Sequence, residues 1–380
     1  MSDDSKVEES PSVEAPIHGD MLEAILTYVP LIYLVPACHV SKQWSRAVST
    51  SLRHQNPIKP WLLLHIQRTR HPYSTASYAY DPRSRIWVQI HQPPIKYVYA
   101  LRSSHLTLLY MLSPSKFLFS FDPLHLTWHH VDAPIVWRTD PIVALVGHRV
   151  IVAGGACDFE EDPLAVEMYD LKSRTWDRCE SMPTIFKDSA ASMWLSVTAD
   201  SNKMYVVQKS SGIMYSFDPI TNAWQGPYNV KPTTDVRSCI IGFAKDQFMM
   251  VGLTEEINGV NVKVWRVDGE SWEFVKVIGE MPKELVEKLR VDSWSTSSVI
   301  VSLIDDFMYI NNTSAPGEMI VCELGDGGDC KWSSVENVIV GDDCLLRDRL
   351  VFTCSYVGLK DLHIAMTAHN CKFAAKSNVC

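Results

Sequence analysis

The stretch Tyr169-Asp170-Leu171-Lys172-Ser173-Arg174-Thr175-Trp176 sets the reading of the whole chain, because its aromatic, its Asp and its Trp recur at fixed offsets. Tyr80-Asp81 leads to Trp87, Phe121-Asp122 to Trp128 and Phe217-Asp218 to Trp224, each with the Asp six residues before the Trp. Two looser copies follow. Val267-Asp268 reaches Trp272 through a loop shortened by two, and Cys322-Glu323 reaches Trp332 through the longer Gly325-Asp326-Gly327-Gly328-Asp329. The Trp positions lie 41, 48, 48, 48 and 60 residues apart. A period of this length marks a supersecondary unit that cannot bury its apolar face alone and must stack on its neighbours.

Each copy has the chemistry of a hairpin: an apolar run ending in an aromatic, a turn rich in Asp, Pro, Ser and Asn, then a Trp opening a second short run. The Asp can bond amides within its turn, and the Trp offers a large surface to bury between neighbouring sheets. Upstream of Tyr169, Ile142-Val143-Ala144-Leu145-Val146, a Gly147-His148-Arg149 turn and Val150-Ile151-Val152-Ala153-Gly154-Gly155 supply two further strands. Six such four-stranded units repeated around a channel predict an all-β, six-bladed β-propeller.

The pair Gly154-Gly155 together with Tyr169 and Trp176 resembles a kelch repeat, matched in full only in this third unit. Gln208-Lys209-Ser210 and Val251-Gly252-Leu253 stand at the corresponding places of the next two. The first unit, with Trp61-Leu62-Leu63-Leu64-His65-Ile66, Ala79-Tyr80 and Ile86-Trp87-Val88, is one strand short. Near the C-terminus, Cys344-Leu345-Leu346, a polar turn Arg347-Asp348-Arg349 and Leu350-Val351-Phe352-Thr353-Cys354 are expected to return and close the ring with a strand at about 344–354. A partial seventh blade is the competing reading. The kelch-like propeller is thus placed at 61–368, with 369–380 as a tail.

Upstream, residues 1–16 are acidic and poor in apolar side chains and read as a disordered tail. Asp20 can cap a helix that carries Met21, Leu22, Ile25, Leu26 and Val29 on one face and ends at Pro30. A second short helix is expected over Leu31 to Ala37, and a third with Val40, Trp44 and Val48 on one stripe. So few residues bury little, so much of their apolar surface is expected to meet a partner. The stretch from Ile17 to Trp44 resembles an F-box on Pro30-Leu31, Leu34 and Val40-Ser41-Lys42-Gln43-Trp44, placed as in plant F-box/kelch-repeat proteins. It departs from the family at Ile17-His18, where Leu-Pro is usual. The module is assigned to 17–54, a small all-α F-box, followed by a linker at 55–60.

Composition bounds the partners. A net charge of -9 without a clustered basic run argues against nucleic acid, and no run reaches the length of a membrane span. The acidic start lacks the features of a signal peptide, and ten cysteines without a C-x-x-C pair fit a reducing compartment, cytoplasmic or nuclear. The sequons at Asn311 and Asn312 would then go unused. No cofactor or metal is expected. His125 and His129 bracket a hairpin turn rather than share a helix face, the Gly325–Asp329 run lacks the ordered acids of a calcium loop, and Gly154-Gly155 leads into no phosphate-binding helix. No nucleophile motif such as G-x-S-x-G is present.

The resemblance implies a non-catalytic substrate receptor of a Skp-cullin-F-box (SCF-type) ubiquitin ligase. Ile17, Leu22, Ile25, Pro30, Leu31, Leu34, Val40 and Trp44 would meet a Skp-type adaptor and through it a cullin, and the propeller would capture a target protein. Connections in a four-stranded meander alternate faces, so the second-to-third-strand loops and the blade-to-blade loops share one end. There Arg138, Lys187 and Arg237, with Trp137 and Phe186 beside two of them, read either as solvated loop charge or as a basic and aromatic target-binding ring. The alternative function is a propeller enzyme or small-ligand binder whose helices merely cap the ring.

Overall fold

Six antiparallel sheets ring a central channel in the computed structural model, which describes residues 19–376 apart from 72, 93–98, 106, 156–161, 257–258, 270, 273, 290–297, 326–328 and 341–347. Blades 2 to 6 are meanders whose innermost strands are Leu101–His105, Ile142–Val146, Leu195–Ala199, Val236–Ala244 and Val299–Ile304. In blade 1 the innermost strand is Asp348–Ser355, which pairs antiparallel with Trp61–Arg68 along its whole length. Each innermost strand neighbours the next, and Asp348–Ser355 touches those of blades 2 and 6, so the ring closes.

Two C-terminal expectations are corrected. Of the triplet expected as a turn at 347–349, Asp348 and Arg349 already belong to the closing strand, while 344–347 lie outside the described residues. Residues 369–376 are no tail either, because Lys372–Lys376 adds a fifth, outermost strand to blade 1. Lysines at both of its ends protect a sheet edge from further pairing.

The repeated turn folds as its residues dictate. Asp170 Oδ1 accepts from the amides of Lys172 and Ser173 at 2.7 and 3.0 Å, and Asp218 Oδ1 from that of Ile220 at 2.8 Å. Four residues after the Asp, Arg85, Arg174 and Asn222 take left-handed backbone, which reverses the chain so that Tyr80 faces Trp87, Tyr169 faces Trp176 and Phe217 faces Trp224 across the outer pair. Each of these indoles then donates to a main-chain oxygen of the preceding blade or its exit: Trp87 to Glu336 at 3.0 Å, Trp176 to Asp132 at 2.9 Å and Trp224 to Glu180 at 3.1 Å. At these three positions the repeated Trp therefore fastens one blade to the one before it.

Blade 5 departs because its loop is shorter. Trp272 itself falls at the left-handed position (φ 60°), so its ring leaves the strand and packs on Tyr205, Tyr228 and Phe248 at centroid distances of 5.5, 5.1 and 5.1 Å. In the third blade the glycine pair has a steric reason. A Cβ on Gly154 would lie 2.5 Å from the Ala190 carbonyl oxygen, and one on Gly155 3.0 Å from the Pro141 nitrogen, both glycines having positive φ.

Helices α1 (Asp20–Thr27), α2 (Leu31–Ala37) and α3 (Lys42–Thr50) precede the ring, α4 (Lys283–Leu289) follows Pro282 between blades 5 and 6, and α5 (Leu359–Ala368) follows the closing strand. None of the described helices is long and apolar enough to cross a membrane.

Candidate partner-binding faces

The α1–α3 cluster is fused to one end of the ring. Leu22, Leu26, Leu31, Ile32, Leu34, Val35, Ala47 and Val48 bury themselves in one core with Trp61, Leu63, Val88 and Ile90 of blade 1, Leu124 of blade 2 and Leu362 of α5. Ser41 caps α3, accepting from the Trp44 amide at 3.2 Å. The first hairpin turn of the propeller then grips α1. Arg83 donates to the Val29, Leu26 and Asn56 carbonyls at 2.6, 3.0 and 3.0 Å, covering the orphaned oxygens that follow the helix. Burial holds the Arg83 pKa below its ordinary value, with Asp81 opposing that shift.

This packing corrects the expected adaptor face. Leu22, Leu31 and Leu34 cannot meet a partner in this state, because the chain itself covers them, Leu34 completely. Pro30 and Trp44 are half-buried, Ile25 and Val40 are exposed, and Ile17 lies outside the described residues. The exposed apolar surface is carried by Met21, Ile25 and Tyr28, one helical stripe at i, i+4 and i+7, joined by Tyr33 and Val40. Tyr28 is 84% exposed and Met21 65%; Ile135 and Ile220 elsewhere in the chain are as exposed, so it is the succession of apolar side chains along one helical face that marks an interface.

The turns that touch the helices join third to fourth strands, so the loops that join second to third strands and one blade to the next open at the opposite end. There the expected ring of Arg138, Lys187 and Arg237 does not assemble. Arg138 is 1% exposed: its guanidinium is paired with Glu167, equally buried, and also donates to the Ala165 carbonyl at 2.7 Å. Phe186 is fully buried and Trp137 half-buried, both as packing rather than as a rim. Lys187 is exposed on a short helical turn, and Arg237 pairs with Glu255 on the next strand, both side chains in solvent.

A different basic set lines the channel mouth. Arg102 and Arg349, each the second residue of an innermost strand, and Lys209, just past the second strand of blade 4, border a cavity of about 310 Å³ together with Ser103, Ser192 and Thr198. Asp140 stands behind this lining, ion-paired with Arg102 and accepting from the Ser192 hydroxyl at 2.8 Å. Lys209 Nζ donates to the Met193 carbonyl at 3.1 Å, and burial brings its pKa down to about 8. Arg349 has no hydrogen bond or ion pair among the described residues; burial and the nearby Arg102 charge lower its pKa, with Asp140 and Tyr110 opposing that shift. Arg102 and Arg349 share a sequence position, one residue into an innermost strand, but Arg237 has it too without lining the cavity, so the pattern alone does not single out this set. For Arg349 the expected turn at 347–349 hides even that position.

No family model matches the chain. Among curated proteins it is 42% identical to F-box/kelch-repeat protein At1g23390 of Arabidopsis thaliana over 378 residues, 96% of this chain and 95% of the relative. A second Arabidopsis F-box/kelch-repeat protein, At3g27910, is 25% identical over 44% of this chain and 41% of its own length. Kelch repeat and BTB domain-containing protein 8 of Danio rerio is 24% identical over 36% of this chain and 22% of its own. Near full-length identity to the first of these, together with three helices buried on one end of a closed six-bladed ring, places the chain in the F-box/kelch-repeat family.

Proposed function

We propose that the protein is the substrate-recognition subunit of an SCF-type ubiquitin ligase. The α1–α3 cluster docks a Skp-type adaptor and through it a cullin, and the loop end of the propeller captures a target protein. The observation that carries this reading is the exposed stripe of Met21, Ile25 and Tyr28 with Tyr33 and Val40, on helices whose other face is already anchored to the ring. Such a stripe, presented by a rigid base, suits a protein interface with an apolar centre. The chain forms no bond in this scheme: it raises the effective concentration of target beside the ubiquitin-loaded enzyme. Because the helices and the variable loops occupy opposite ends of one closed ring, a bound target is held at a fixed distance from the adaptor.

Coexpression of the full chain with a Skp-type adaptor tests the reading. Replacing Ile25 and Tyr28 by Asp is expected to abolish copurification while leaving the melting temperature unchanged, since both side chains stand in solvent. Copurification of the double variant at the wild-type level would sink the assignment of this face.

A further inference from the structure

The three cations at the channel mouth are arranged unlike the other charges of the loop end. Arg138 is neutralised by Glu167, Arg237 by Glu255 and Arg68 by Asp348 at 3.9 Å. Arg102, Lys209 and Arg349, by contrast, line one cavity to which no described carboxylate contributes; Asp140 behind them is in ion-pair contact with Arg102 and acts on Lys209 and Arg349 through space, one negative charge facing three positive ones. Two positive charges are left over in a chain whose net charge is -9.

The walls around them are built rather than loose. Ser104 Oγ accepts from the Val143 amide at 2.6 Å and donates to the Val143 carbonyl at 2.9 Å, tying the innermost strands of blades 2 and 3. Ser196 Oγ accepts from the Ile241 amide at 3.1 Å, tying those of blades 4 and 5. Deeper in the same cavity the Thr198 hydroxyl, 1% exposed, has no hydrogen-bond partner among the described residues. A buried donor left unmade in a polar cavity costs free energy that a bound group with oxygen acceptors can recover.

Resting on the receptor reading above, we infer that the channel mouth is an anion-binding site that takes a carboxylate or phosphate group carried on an exposed segment of the target. Arg349 supplies a guanidinium with no hydrogen-bonded partner among the described residues, whose planar fork can bind two oxygens at once, Lys209 a point charge, and Arg102 a guanidinium held in place by Asp140. Serine and threonine hydroxyls along the cavity add neutral donors for the remaining oxygens. The occupant enters from the end opposite the adaptor face, so both can be bound at once.

Isothermal titration of the full chain at low salt tests the site with two probes, inorganic phosphate and a tetraglutamate peptide, and the tetraglutamine peptide as control. Both anions are expected to bind and to compete with one another, the control peptide to give no heat, and added salt to weaken binding. R349Q and K209M are each expected to lower affinity about tenfold or more, R349K to recover part of it, and R237Q to leave it unchanged. Melting curves of the variants show whether the ring is intact. Absence of binding by both probes, or unchanged binding in the R349Q/K209M double variant with a normal melt, overturns the site. Phosphate binding without peptide binding overturns the target segment as its occupant. Adaptor copurification is measured on the same preparations: if it persists while neither probe binds, this inference fails and the receptor reading stands, and the reverse result separates them the other way.

Discussion

The two ends of the propeller treat polar groups in opposite ways. At the helical end they are consumed internally: Asp81, Asp170 and Asp218 hold their own turn amides or hydroxyls, Arg83 covers the carbonyls after α1, and His125 crosses to Thr353 of the closing strand at 2.9 Å. Among the solvated charges that remain outward there, such as Lys42, Arg46 and Arg53, runs the apolar stripe of Met21, Ile25 and Tyr28. At the loop end Arg138 and Arg237 are each paired with a glutamate and Lys187 stands in solvent, while Arg349 and Lys209 face the channel mouth without an ion pair among the described residues. The difference teaches that on a repeat scaffold function is read from what the repeat chemistry does not use. At one end that is an apolar stripe and at the other unneutralised charge.

The largest effect should come from the loop-end charge that is not functional at all. Arg138→Ala leaves Glu167 buried with only the Ile135 and Val136 amides, at 2.6 and 3.2 Å, in place of its cation. Removing one partner of a buried pair typically costs about 3–5 kcal/mol. A urea denaturation curve shifted by that amount, with anion binding retained under native conditions, would confirm that this arginine serves the fold. A shift below about 1 kcal/mol would return it to the set of available loop cations.

The helical end should respond most to acid. His65 is hydrogen-bonded to Ser77 at 3.0 Å and lies 5.1 Å, ring to ring, from His125, and both rings are buried. One nitrogen of each has no partner among the described residues. Burial holds the His65 pKa well below the usual histidine range, with the charge on His125 adding to it, and brings His125 down to about 3; His129 shifts the same way through partial burial. The folded-state values lie below the unfolded ones, so the stability these rings allow is complete above about pH 6.5. It is lost as pH falls toward about 3, at about 1.4 kcal/mol per buried histidine for each pH unit. The urea midpoint should therefore drop between pH 7.5 and 5.5, and a H65Q/H125Q variant should show a flatter slope over that window. A wild-type midpoint constant over that interval would mean that the seam between blades 1 and 2 admits a charged ring.

Arg83 joins the two modules, and its removal should be felt more locally. Arg83→Ala strands the Leu26, Val29 and Asn56 carbonyls at the junction, a loss of about 2–3 kcal/mol for charged hydrogen bonds of this kind. Hydrogen exchange should accelerate through α1 and α2 while the inner strands of blades 3 to 5 keep their protection. Uniform acceleration across the ring would show that the helices and the propeller unfold as one unit.

The architecture was legible because the repeat carries its own local physics. An Asp that binds the next two or three amides, a left-handed residue and a facing aromatic and Trp are all contained within eight residues, so the hairpins could be read one by one. Pairings made across the fold were not legible. Glu167 lies 29 residues from Arg138 inside an apolar strand, and nothing near Trp137-Arg138 in the sequence distinguishes a buried cation from a solvated one. The helical pattern gave the apolar stripe but not its division: Leu22 and Leu34 share a core with Trp61 of blade 1 and Leu362 of α5, 27 to 340 residues away. Lys372–Lys376 escaped for a compositional reason, since Lys-Phe-Ala-Ala-Lys has a single large apolar side chain and no β-branched residue.

The smallest expected effect sharpens the comparison from the other side. Arg237 occupies the same second position of an innermost strand as Arg102 and Arg349, in blade 5, yet it points its charge at Glu255 in solvent and does not line the channel. Exposed pairs of this kind are worth about 0–1 kcal/mol. Arg237→Ala should therefore move the urea midpoint by no more than that and leave phosphate titration unaltered, whereas Arg349→Gln at the matching position of blade 1 should leave the midpoint nearly as still and yet weaken the titration. The contrast isolates channel lining from strand position. If Arg237→Ala weakened anion binding as much as Arg349→Gln, the mouth would act through the summed field of the loop end, and no bounded site would need to be invoked.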